Sequence, residues 1–151
     1  MKATKEQITR FLTPKTIAIA GVSNNDKKFG YQVFNHLMQS GYEVIPINPN
    51  HDKIDETDCF KSVEELPDSV ESLLILTNKN QTNDVLKKAL NKSIPNIWVQ
   101  QSCETKESLQ IAEEHSKDVI FKECIFMFTE PVKGFHKFHK NIAKLFGKHP
   151  K

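Results

Sequence analysis

Residues 16–50 read TIAIAGVSNNDKKFGYQVFNHLMQSGYEVIPINPN, and the order of patterns within them decides the fold. Thr16 to Ala20 is a compact apolar run, partly β-branched and stopped by Gly21, which predicts a buried strand. A polar loop follows. From Tyr31 to Gln39 the residues Val33, Phe34, Leu37 and Met38 recur at helical spacing, with Gly41 as the stop signal. Glu43 to Ile47 returns to a strand pattern. Strand, helix and strand joined by short links form the repeating unit of a parallel sheet.

The rest of the chain repeats that unit. A leading helix spans Lys5 to Leu12 and ends before Pro14. Residues 48–59 lack periodicity and read as surface loop, followed by a helical turn at Ser62 to Leu66. Strands are expected at Ser72 to Leu76, Asn96 to Val99 and Val119 to Phe121, separated by helices at Asn80 to Asn91 and Lys106 to His115. The predicted fold is a doubly wound, Rossmann-like α/β domain: a five-stranded parallel sheet with helices on both faces. At 151 residues the chain suits one such domain, expected over residues 1–130, and is short for two.

Composition narrows the classes. With 38% apolar and 26% charged residues, the chain can build a core, and no stretch is apolar enough for a membrane span. All 19 acidic residues precede Pro131, whereas Pro131 to Lys151 carries six lysines and no acid. A mildly acidic body argues against nucleic-acid binding by the whole surface and leaves only the tail as a candidate. In that tail Phe135, Phe138, Ile142 and Leu145 recur at spacings of three and four. Residues 131–151 therefore read as a basic amphipathic helical extension that docks on the domain, a second copy or a protein partner, with a membrane-surface helix as the alternative. His136 and His139 are better read as an exposed or packed pair than as metal ligands, so no metal is expected. Cys59, Cys103 and Cys124 form no CxxC pair and suit free thiols in a reducing compartment. No signal peptide precedes the domain, and the cytoplasm is the expected location.

In an open parallel sheet the ligand site lies beyond the carboxyl ends of the strands. After the first strand come Gly21, Val22 and Ser23, then a polar stretch to Lys28, Phe29 and Gly30 at the start of the helix. A glycine allows close backbone approach, Ser23 supplies a hydroxyl, Lys28 a cation, and the helix start supplies unpaired N–H groups. These parts can hold a phosphate; the alternative is a plain loop whose lysines face water. A nicotinamide fingerprint is missing, because Gly21 and Gly30 are too far apart for GxGxxG and Asn48 stands where an acid is required. A GxxxxGK[ST] loop is absent as well.

From Thr13 to Phe121 the residues resemble the small coenzyme A-binding proteins, whose domain also occurs in the α subunit of succinyl-CoA synthetase. The likeness rests on the strand with its G-V-S turn, the Lys28-Phe29-Gly30 lead into the helix, Gly41-Tyr42-Glu43-Val44 and Pro46-Ile47-Asn48-Pro49. Cys59-Phe60, the run Ser62 to Pro67, and Trp98-Val99-Gln100 extend it. The resemblance implies coenzyme A or an acyl-CoA as cofactor. It places Gly21, Val22, Ser23, Lys28, Phe29 and Gly30 near the phosphates and Asn48 and Pro49 on the adenosine side. Thr77, Lys79 and Gln100 are implied as further contacts.

No catalytic signature accompanies these residues. There is no GxSxG elbow, no histidine that sequence places beside Ser23, and no carboxylate pair at the expected mouth. The expected function is therefore noncatalytic cofactor binding. The alternative is an NAD(P)- or CoA-dependent enzyme with an unrecognised active site, in which Cys103 or Ser23 would be essential.

Overall fold

The structure is a computed structural model that describes residues 2–130; the tail helix expected beyond Pro131 lies outside the described residues. Helix α1 (Lys5–Leu12) leads into β1 (Thr16–Ala20), α2 (Phe29–Gln39) and β2 (Glu43–Ile47). A small hairpin, β3 (Lys53–Ile54) and β4 (Thr57–Asp58), is followed by a 3-10 turn at Val63–Glu65. The chain then runs through β5 (Ser72–Ile75), α3 (Lys79–Asn91), β6 (Asn96–Gln100), α4 (Lys106–Glu114) and β7 (Ile120–Glu123), with a second 3-10 turn at Ile125–Met127. Five strands form one sheet in the order β2-β1-β5-β6-β7, and every neighbour pair is parallel. This is a doubly wound, Rossmann-like α/β fold.

The strand order explains the layers. From β1 the chain moves outward to β2, then returns past β1 to build β5, β6 and β7 on the other side. Right-handed crossovers taken in opposite directions put their helices on opposite faces. Accordingly Ile17, Ile19, Leu74, Trp98 and Ile120 pack beneath α1 and α2. Ala18, Ala20, Leu73, Ile75, Ile97 and Val99 pack beneath α3 and α4. Successive side chains point to opposite faces of a strand, so a sheet covered on both sides needs uninterrupted apolar strands such as Thr16–Ala20 and Ser72–Ile75. Pro46 is tolerated because β2 is an edge strand.

Trp98 anchors the first face. It is fully buried, with Phe11 at a ring-centroid distance of 5.1 Å and Phe128 at 5.8 Å, both edge-on. Its indole N–H donates to the Glu123 carbonyl at 3.0 Å, which satisfies the polar atom that burial would otherwise leave unpaired.

Three departures from the sequence expectation exceed a single residue. The loop after β2 contains the β3–β4 hairpin, whose two-residue strands are too short for any periodicity to show. Asp55 at its turn has φ +52° and is held by other segments: its N–H donates to Asn24, and its carboxylate accepts from the Tyr31 hydroxyl. Helix α2 begins at Phe29, two residues before its apolar pattern does. Strand β7 is shifted to Ile120–Glu123, with a break in register against β6 and Lys122 at φ +63°.

His36 ties α2 to the far end of the described chain. Its Nε2 lies 2.8 Å from Thr129 Oγ1, and its ring stands edge-on to Phe126 at 4.6 Å. Thr129 Oγ1 donates to the Ile125 carbonyl, so it accepts the Nε2 proton from His36. Burial holds the His36 imidazole below the ordinary histidine value of 6.5, with the Thr129 bond and the Glu130 charge pulling the other way.

Two predictions follow from this packing. Phe11→Ala should cost about 3–5 kcal/mol in urea unfolding; a loss under about 1 kcal/mol would mean the Phe11–Trp98 contact does not anchor the face. Because the folded state disfavours the His36 cation, its stabilising effect is present above pH 6.5 and is lost as pH falls below that value. His36→Gln should therefore lose less stability between pH 7 and pH 5 than the parent protein does. Equal losses would show that His36 does not carry the effect.

Candidate functional site

The order reverses between β1 and β5, and there the carboxyl ends of the strands open into a cavity of about 680 Å³. Ala20 and Gly21 after β1, Ile47 to Asn50 after β2, and Leu76 to Asn78 after β5 form its floor. Along α3 the residues Gln81, Asp84, Val85 and Lys88 wall one side, spaced as one helical stripe. Lys61, Ser62 and Val63 line the cavity as well, from the segment leading into the 3-10 turn that meets α3 through the Glu64–Lys88 pair.

Two glycines bring the loop and the helix together. Gly21 has φ +106°, and a Cβ on it would lie 2.7 Å from the Leu76 carbonyl oxygen. A Cβ on Gly30 would run into the carbonyl oxygen of Gly21 itself. The spacing that rules out a dinucleotide fingerprint in sequence thus still serves close backbone approach in space.

The helix starts differ according to what they face. Helices α1 and α4, away from the cavity, have capping boxes at Thr4 with Gln7 and Thr105 with Ser108, and each has an acid in its first turn. Helices α2 and α3 start at Lys28 and Asn78, both lining the cavity, with no side-chain cap and no acid in the first turn. The first two N–H groups of each helix have no intrahelical acceptor and carry partial positive charge, while in α3 the third, Gln81 N, donates back to the Asn78 carbonyl at 2.8 Å. Two such ends aimed into one cavity favour an anion.

The cations divide in the same way. Lys61 Nζ is 2.8 Å from Asp52 and 3.0 Å from the His51 carbonyl. Lys88 Nζ lies 3.3 Å from Asp84 and 3.9 Å from Glu64. Lys28 makes no ion pair or side-chain hydrogen bond among the described residues, so its charge is available to a ligand. Ser23 Oγ accepts from the Asn25 N–H at 3.3 Å, and its own proton has no acceptor among the described residues.

Other residues singled out in the sequence hold the site's walls. Asn48 Nδ2 donates to the Val22 carbonyl at 2.7 Å, and its Oδ1 accepts from Asn50 N at 2.8 Å. Both ends of its amide are engaged, so Asn48 fastens the β1 loop to the end of β2, with Pro49 beside it on the cavity wall. Val22 is fully buried and does not line the cavity. Thr77 does; its Oγ1 is 3.0 Å from Thr82 Oγ1, which lies 2.8 Å from the Cys103 carbonyl. A carbonyl only accepts, so Thr82 spends its proton there and Thr77 donates to Thr82.

Lys79 and Gln100 are not brought to the cavity. Gln100 is buried, and its Oε1 accepts from Ile125 N at 3.1 Å, tying the second 3-10 turn to β6. Sequence reading passed over Lys61, Asn78, Asp84 and Lys88. The stripe on α3 was visible as spacing, but only the fold shows which face of that helix meets the cavity.

Cys59 and Cys103 are poor nucleophiles. Burial pushes Cys59 up, and burial with the Glu104 charge pushes Cys103 up, which keeps both protonated at neutral pH. Among the described residues no group of three metal-ligating side chains occurs, and no helix is long and apolar enough to cross a membrane.

Several known proteins are similar to this chain. Subunit α of acetate-CoA ligase (ADP-forming) II from Pyrococcus furiosus is 28% identical over 147 residues, covering 90% of this chain. The chain spans only 30% of that subunit's length. YneT from Bacillus subtilis is 27% identical over 111 residues, covering 74% of this chain and 82% of YneT. Among solved structures, a conserved hypothetical protein from Pyrococcus furiosus superposes with a TM-score of 0.71 at 32% identity, covering 74% of this chain and 96% of that one. A Thermus thermophilus structure superposes with a TM-score of 0.73 at 20% identity and so shares the fold. The family model described as CoA binding domain matches residues 15–130, and the chain therefore belongs to the CoA-binding domain family.

Proposed function

We propose that this protein binds coenzyme A, free or acylated, in the cavity between β1 and β5, and that it does so as a binding module without catalysing a reaction. The observation that carries the reading is the convergence of two uncapped helix starts and the unpaired Lys28 on one cavity. A diphosphate is the group such a place suits best. Its oxygens would meet Ser23, Lys28 and the first N–H groups of α2, Phe29 and Gly30 included, with Gly21 and Thr77 beneath. The adenosine would extend along Asn48 and Pro49 toward the α3 stripe. Val22, Lys79 and Gln100 would act at one remove, through backbone or packing.

The noncatalytic reading rests on what lines the cavity. Ser23 has no histidine partner there, and the one carboxylate on the α3 stripe, Asp84, is ion-paired with Lys88. The cysteines, free in the structure, fit a reducing compartment such as the cytoplasm.

Calorimetry and thermal melting with coenzyme A, acetyl-CoA, NAD and NADP test the reading. Coenzyme A compounds should stabilise the fold, because a ligand that binds only the folded state must do so, while NAD and NADP should not. Lys28→Ala should weaken binding roughly tenfold, the scale of one charge-assisted hydrogen bond, without lowering stability. Gly30→Ala should abolish binding and lower the melting temperature, since the loop must move to admit the methyl group. Tight NAD binding, or coenzyme A binding indifferent to both substitutions, would overturn the proposal.

A further inference from the structure

Among the described residues the large apolar side chains left exposed are Phe29 at 43%, Met38 at 44% and Met127 at 41%. Phe29 lines the cavity. Its ring meets that of Phe126 edge-on at 5.4 Å, and Met127 is the next residue along the same 3-10 turn. Phe126 does not hang free: His36 contacts it edge-on at 4.6 Å and is itself held by Thr129. The result is a fixed apolar ledge, continuous with the cavity and adjacent to the phosphate cation, since Phe29 directly follows Lys28.

A diphosphate diester has two substituents. The part of the cavity bounded by Asn48, Lys61 and the α3 stripe is polar and charged, which suits a nucleoside. The second substituent must leave on the other side. There the chain offers Phe29 and, in ring contact with it, Phe126, which the exposed Met127 follows along the 3-10 turn.

On the reading that the cavity holds coenzyme A, we propose that the pantetheine arm crosses Phe29 and that Phe126 and Met127 seat an apolar acyl group on its thiol. The protein then prefers acyl-CoA over the free thiol, and the preference grows with acyl length. A fully buried methylene strengthens binding about fourfold, so even partial burial of a short chain changes affinity measurably. The same ledge gives nothing to free coenzyme A, whose thiol ends before reaching it.

Calorimetric titration with coenzyme A, acetyl-CoA, butyryl-CoA and hexanoyl-CoA tests the proposal in the parent protein and in Phe126→Ala and Met127→Gln. Hexanoyl-CoA should bind at least tenfold more tightly than coenzyme A, with the shorter thioesters between. Met127→Gln, at an exposed position, should cut that ratio severalfold and leave coenzyme A affinity unchanged. Phe126→Ala should remove most of it, with melting curves confirming that the variant folds. Equal affinity for all four ligands, or an undiminished ratio in the Met127 variant, overturns the acyl seat while leaving coenzyme A binding intact. Failure of all four to bind overturns both the seat and the cofactor reading beneath it.

Discussion

The candidate site depends on the close approach of the Gly30 backbone to the Gly21 carbonyl, with the Leu76 carbonyl set where a Cβ on Gly21 would lie. Three segments meet there: the end of β1, the end of β5 and the first turn of α2. No side chain fits at either glycine. That absence lets the α2 start stand directly over the reversal in strand order, so its unpaired N–H groups open into the cavity instead of being covered by protein. A methyl group at Gly30 would separate loop from helix, and the candidate site would lose its floor and one wall together.

The remainder of the fold supports that junction. Apolar strands covered on both faces hold β1 and β5 side by side, and Trp98 with Phe11 locks α1 against the sheet beneath. Asn48 fastens the loop after β1 to the end of β2, while Asn24 grips the β3–β4 hairpin through the Lys53 carbonyl and the Asp55 N–H. Polar side chains in the loops thus act on backbone groups of neighbouring loops. The cost of leaving such groups unpaired gives the cavity walls a definite shape before any ligand arrives.

Much of this was legible in the sequence, for reasons that differ by element. Thr16–Ala20 could be read because a strand covered on both faces must be apolar, Glu43–Ile47 because its residues return to a strand pattern after Gly41, and α1 because Pro14 marks its end. The hairpin at Lys53–Asp58 could not, since Asn24 and Tyr31, distant in sequence, hold it. Among the candidate site residues, Gly21, Ser23, Lys28, Pro49 and Thr77 do line one cavity. Gln100 does not, because its side chain turns inward to Ile125. Lys61 and Lys88 were invisible as lining residues because nothing in the chain order says which connections fold over the reversal point.

Backbone amide NMR during titration with coenzyme A tests the central claim most directly, because that claim concerns N–H groups. The account predicts that the largest shifts fall on Ser23, Phe29, Gly30 and Asn80, the two helix starts and the loop that faces them. The second cavity, about 260 Å³ between the end of α1 and the start of β2, should stay silent. Shifts concentrated at Thr13, Gly41 and Tyr42, with Phe29 and Gly30 unmoved, would contradict it.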